Sequence, residues 1–153
     1  MAPAAIRLKE AQNNRVEKEM ARLQQGSLKG AVAGLSKQCS LLYRLSLSSS
    51  ISPSPFSLLL DLRLDYPFKP PRIIFNPSIF HPNVHAATGE LCMATLIPEN
   101  WKSCSTIENV FASLVAVLNE PELDRPVNEE AASLWRSDKA ALLKRIHSPL
   151  SKT

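Results

Sequence analysis

Glycine is scarce in this chain: there are four in 153 residues, none in a GxGxxG or GxxxxGK arrangement. Loops that cradle phosphate need such glycines to bring backbone N–H groups close, so nucleotide binding by either device is excluded. Cysteine is scarcer still. Cys39, Cys92 and Cys104 are too few and too unevenly spaced for a disulfide framework, and a reducing setting, cytoplasmic or nuclear, is expected. Long apolar runs are missing as well. The most apolar stretch, residues 56–64, contains Asp61 and Arg63 and is far too short to cross a bilayer. The early charges Arg7, Lys9 and Glu10 leave no signal-peptide apolar core at the start, so no membrane association is expected. Dense Lys/Arg runs and basic stripes interleaved with aromatics are also lacking. The 18 basic and 14 acidic residues give a net charge of +4, a mild excess that suits a polar protein partner and does not mark a nucleic-acid binder.

What is present suffices for one compact domain with a real core: 44% of the residues are apolar. Residues 4–24 read as a helix ending near Gly26, with Val16, Met20 and Leu23 as its apolar stripe and Arg15, Lys18 and Arg22 on a separate basic face. Such a face is either solvated or a docking surface. Residues 26–57 give few signals, apart from a strand at 41–47 and a Ser/Pro loop at 48–55. In 56–65 alternation places Leu58, Leu60, Leu62 and Leu64 on one face and Asp61, Arg63 and Asp65 on the other, as in a half-buried strand. "YPFKPP" (66–71) forbids regular structure, because each proline fixes its own φ and restrains its predecessor. "RIIF" (72–75) follows as a short strand. Ser105 and Glu108 form a capping-box pattern ahead of an apolar helix that stops before Pro121. Two more helices are expected near 128–135 and 138–147. Helix, then strands, then helices indicates an α+β domain with an antiparallel meander.

The chemistry concentrates in "HPNVHAATGELC", residues 81–92. His81, His85, Cys92 and Cys104 are the right types for zinc, but there is no CxxC or HxxxC pair and the spacing fits no compact knuckle, so no metal is expected. A cysteine hydrolase would pair Cys92 with His81 or His85, oriented by Asn83. A carrier cysteine would need only an accessible thiol and a donor for the oxyanion, because exchange between thioesters is nearly isoenergetic. A buried structural cysteine in a turn is the plain alternative. The residues alone leave these three open.

In order, "YPFKPPRIIF", "HPN", "GELC", "ENW", a long apolar helix and "EP…RP" resemble the ubiquitin-conjugating enzymes over about half the chain, from Tyr66 to Trp135. "RVEKEMARL" (15–23) also resembles that family's first helix. The resemblance implies the family's fold, with an N-terminal helix, a four-stranded antiparallel meander, a buried central helix and two C-terminal helices. It divides the chain into an extension (1–13), a catalytic core (14–149) and a tail (150–153). It implies that Cys92 carries ubiquitin, or a ubiquitin-like modifier, as a thioester received from an activating enzyme. Asn83 would stabilise the oxyanion or the flap beside it, while His81 and Pro82 build the turn. Trp101 would support the following loop, and His85 would be an exposed loop residue. Arg15, Lys18, Phe68, Lys102 and Ser103 would dock a HECT or RING-type ligase. No cofactor is implied, since ATP is used by the upstream activating enzyme. A non-catalytic binding member of the same fold is the other reading.

Several positions depart from the family pattern. The family's usual Trp and Gly-Gly turn are absent from 26–57, and the segment between Asn83 and Cys92 is one residue longer than usual. Members that transfer to lysine carry an Asp two residues after the cysteine and another beside the C-terminal proline turn. Here those positions hold Ala94 and Arg125. Together with "IPENWK" (97–102), this resembles the subgroup serving HECT and RING-between-RING ligases. Transfer to a ligase cysteine rather than to lysine is therefore expected.

Overall fold

A computed structural model describes residues 3–148. Its first element, helix α1 (Ala4–Gln25), buries Val16, Met20 and Leu23 as the periodicity requires. Residues 4–13, read as part of an extension, are the opening turns of this same helix. The tail at 150–153 lies outside the described residues.

Strands β1 (Val32–Cys39), β2 (Leu42–Leu47), β3 (Phe56–Asp61) and β4 (Arg72–Phe75) form one antiparallel sheet in chain order. β1 falls in the stretch that gave few signals, and its burial explains the silence. Only Val32 is buried, and two register irregularities interrupt its pairing with β2, so no alternation reaches the sequence. In β2 the alternation is clean: Tyr43, Leu45 and Leu47 point into the core.

β3 differs from its expected span of 56–65. It ends at Asp61, so period-two logic fails beyond that point: Leu62 is still buried, but Leu64 is 59% exposed. Asp61, expected on the polar face, is buried. It accepts from Arg63 N (3.0 Å) and from Arg63 Nε (2.9 Å) and Nη2 (3.0 Å). Those bonds from Arg63 hold the Asp61 carboxyl below the usual carboxylate range. The local clasp replaces the strand.

Helix α2 (Ile107–Asn119) lies against the sheet and buries Ile107, Val110, Phe111, Leu114, Val117 and Leu118. Each such side chain contributes about 1.5–3 kcal/mol when fully buried, so this helix is the main organiser of the core. Its cap is Thr106, whose hydroxyl accepts from Asn109 N (3.1 Å), one residue later than the capping box suggested. Glu108 instead accepts from Ser27 Oγ (3.2 Å), tying α2 to the chain after α1. Two short helices complete the fold: α3 (Glu129–Ser137), capped by Asn128, and α4 (Lys139–Arg145), capped by Asp138. They enclose a small second core of Phe80, Ala131 and Leu142.

One buried charge sits at the centre of this assembly. Glu19 of α1 is 5% exposed and accepts from Tyr66 Oη (2.6 Å), Ile107 N (3.0 Å) and Arg15 Nε (3.2 Å). It joins the first helix, the proline-rich loop and the start of α2. Burial and the Glu19 bond together push the Tyr66 hydroxyl above its ordinary range.

Candidate active site

The HPN turn is wholly buried. His81 is inaccessible to solvent, and its Nδ1 accepts from Asn83 N (3.0 Å). Its Nε2 faces the backbone of Val117 and Leu118 without a sound hydrogen bond, and burial pushes its pKa down to about 4. That ring shapes the turn and stays neutral. In the unfolded chain it protonates near pH 6.5, so between those values the unfolded state binds the extra proton. Stability falls as pH drops from about 6.5 toward 4, by about 3 kcal/mol in all, and this group contributes no slope above pH 7. His81→Asn, which keeps an acceptor for Asn83 N, is expected to flatten that limb in urea unfolding at pH 5 and 7.5.

Pro82 closes the turn through its carbonyl, which accepts from Val127 N (2.9 Å) and Asn128 N (3.2 Å). Asn83 is 1% exposed and reaches across to the same flap. Its Nδ2 donates to Glu122 O (2.8 Å), and its Oδ1 accepts from Glu122 N (2.9 Å). In this structure the amide serves the flap of residues 120–127.

The segment between the HPN turn and the cysteine is held together at its base. Cys92 N donates to Asn83 O (2.8 Å), Val84 pairs with Leu91, and His85 N donates to Glu90 O (3.0 Å). Beyond that point the chain forms the tip at 86–88. Gly89 turns the tip at φ +76°, and a Cβ there would sit 1.9 Å from Phe75 O. Only glycine fits both that conformation and that approach. His85 is exposed at the base of the tip.

Cys92 is half-buried between two grooves. One, of about 700 Å³, runs between Ile97, Glu99 and Asn100 on one side and Glu122, Asp124 and Arg125 on the other, with Ala94 on its floor. The second, of about 480 Å³, is lined by Leu91, Leu96, Pro98 and Val127. Cys39 and Cys104 are exposed elsewhere, and among the described residues no group of three or more His, Cys, Asp or Glu side chains could hold a metal ion. Glu122 drew no attention in the sequence. It lies inside the EP…RP stretch (120–126) at one of the positions that pattern leaves unspecified. Yet its carboxylate Oε2 accepts from Ala94 N (2.8 Å), two residues beyond the cysteine.

The sequence profile of the ubiquitin-conjugating enzymes matches residues 15–148, nearly the whole described chain. The chain belongs to the ubiquitin-conjugating enzyme family. It is 40% identical over 82 residues to ubiquitin-conjugating enzyme E2 pex4 of Dictyostelium discoideum, covering 54% of each chain. It is 35% identical over 89 residues to ubiquitin-conjugating enzyme E2 ubc-18 of Caenorhabditis elegans, covering 58% of each. The matched stretch thus spans little more than half the length of these relatives. A solved structure titled "Novel Ubiquitin-Conjugating Enzyme" superimposes with a TM-score of 0.75 at 25% identity, covering 87% of this chain and 90% of that one. The expected architecture of this family is present: first helix, four-stranded meander, buried central helix and two short C-terminal helices.

The residues expected to dock a ligase in this ubiquitin-conjugating fold divide into two kinds. Phe68 is 69% exposed, and Lys18, Lys102 and Ser103 are also at the surface. Arg15 is partly exposed, lining a surface groove with Lys18, and also braces the fold: its Nη2 donates to Ser105 O (2.9 Å) and its guanidinium lies 5.5 Å from the Tyr66 ring centre. Its packing role is plain. Trp101 Nε1 donates to Pro67 O (2.8 Å), so the loop carrying Phe68 and the loop carrying Lys102 are braced against each other.

Proposed function

We propose that Cys92 accepts ubiquitin from the activating enzyme as a thioester and passes it to the cysteine of a HECT or RING-between-RING ligase, in the reducing cytoplasm or nucleus. The observation that carries this reading is the placement of Cys92. Cys92 lies where two grooves meet, on a backbone held by the HPN turn, whereas Cys104 borders a separate groove beside helix α1. In the charging step the Cys92 thiolate attacks the donor thioester carbonyl, and the activating enzyme's sulfur leaves. In the second step the acceptor thiolate attacks the new carbonyl and Cys92 leaves. Each step exchanges one thioester for another, so neither requires a dedicated base of high strength.

The choice of a sulfur acceptor follows from the groove wall. A lysine must shed a proton held at a pKa near 10.4 before it attacks, which calls for a carboxylate beside the thioester. Ala94 and Arg125 supply none, and Glu122 is turned onto the Ala94 N–H. Glu99 and Asp124 line the groove as exposed side chains, where water competes for an ammonium. Exposed Phe68, on its braced loop, supports ligase docking as a rigid apolar anchor.

Incubation with activating enzyme, ATP and ubiquitin, read on a non-reducing gel, is expected to give a thiol-sensitive adduct. That adduct should discharge to free cysteine far faster than to free lysine. Equal rates would overturn the acceptor assignment. No adduct with ubiquitin or any ubiquitin-like modifier would make the chain a non-catalytic member of its fold.

A further inference from the structure

Both walls of the groove beside Cys92 are tied to the backbone of a single residue, Ala94. Its N–H donates to Glu122 Oε2 (2.8 Å) on the flap, and its carbonyl accepts from Asn100 Nδ2 (2.9 Å) on the opposite wall. Glu122 is held from the other direction by the Asn83 amide, and Asn83 O accepts from Cys92 N. Cys92, Asn83, Glu122 and Ala94 therefore form a closed ring, completed through Met93. Within that ring Glu122 offers Asn83 only backbone atoms, which any residue would provide. The bond to Ala94 is the one link that depends on the Glu122 side chain, and it depends on length: an aspartate is one methylene shorter.

Resting on the reading of Cys92 as the ubiquitin carrier, we propose that Glu122 is a positioning residue of the transfer reaction. Its carboxylate latches the flap to the peptide two residues beyond the cysteine and so sets the width of the groove at the thioester. Without the latch the flap keeps its other anchors: Asn83 on the backbone of residue 122, Val127 and Asn128 on Pro82 O, and Arg136 Nη2 on Leu123 O (3.1 Å). The wall pivots on those anchors while the fold persists. Misplacement of a wall by a fraction of an ångström to an ångström slows transfer steeply, because the acceptor no longer meets the carbonyl in line.

Single-turnover discharge of the charged protein onto free cysteine, over a range of acceptor concentrations, tests this. Glu122→Asp, which keeps the charge and loses the reach, is expected to lower kcat about tenfold with KM for the acceptor unchanged, the effect of one lost hydrogen bond. Glu122→Ala should match it. Glu122→Gln, whose amide oxygen still accepts from Ala94 N, should stay within about twofold of wild type. If Glu122→Ala fails to fold, the Asp and Gln variants still decide. A Glu122→Asp rate equal to wild type would overturn the proposal. So would a Glu122→Gln rate as low as that of Glu122→Asp, since charge rather than reach would then be the operative property. Failure of the wild-type chain to charge would overturn the carrier reading instead, and this inference with it.

Discussion

Replacing Cys92 by serine is expected to leave ubiquitin on the protein while changing the bond that holds it. A serine hydroxyl at that position occupies the same place between the two grooves, so the donor thioester is still presented to it. The product is an oxygen ester, and exchange of an ester with a thiol runs uphill, so the adduct resists reducing agent and yields to alkali. Serine is also a far weaker nucleophile than a thiol with a few per cent of thiolate at neutral pH. Charging should slow by about a hundredfold or more, and discharge to a ligase cysteine should cease on the same timescale. Cys92→Ala should show no adduct at all. Cys39→Ser and Cys104→Ser, at exposed sites outside both grooves, should charge like wild type. Loss of the adduct on replacing either of those instead would place the carrier thiol elsewhere.

The largest expected effect on stability belongs to Glu19. Glu19→Ala strips the acceptor from Tyr66 Oη and Ile107 N, both in the interior, and removes the carboxylate paired with Arg15. Breaking a buried charged network in this way costs about 3–5 kcal/mol, against a typical total of about 5–15 kcal/mol. For a chain of this size the midpoint of thermal unfolding should fall by about 10 °C. Glu19→Gln should lose less, because its amide oxygen still accepts from Ile107 N. Circular dichroism melts of the three proteins read this directly, and a shift below about 2 °C for the alanine variant would contradict the network's importance. Ligase binding should weaken with it. Tyr66 leads into Pro67, whose carbonyl holds Trp101, so losing Glu19 loosens the brace between the Phe68 and Lys102 loops.

Much of this molecule was legible before any coordinates. Helix α1 and α2 announce themselves through Val16, Met20 and Leu23 and through Val110, Phe111, Leu114 and Leu118, because each buries one face. Cys92 and the HPN turn stand out as residue types in a fixed order. Hidden features were those whose burial breaks periodicity or whose contacts join distant segments. β1 hides because Val32 alone is buried in it, and Asp61 hides because a carboxylate on a leucine-rich strand reads as the solvent face. Glu19 and Glu122 each work through partners far along the chain: Tyr66 and Ile107 for the first, Asn83 and Ala94 for the second. No local pattern encodes such pairings. Arg15 reads as a surface cation and is partly exposed, but its bond to Ser105 and its packing on Tyr66 were not legible.

The hairpin that carries Cys92 has a practical side. Its paired base, from Asn83–Cys92 to His85–Glu90, keeps the thiol and the HPN turn in register. Ala87 and Thr88 are exposed there, ahead of a glycine that cannot be replaced. Thr88 borders the second groove with Cys92, whereas Ala87 lines neither groove, which makes Ala87 a natural port for a fluorophore that reports on loading and discharge.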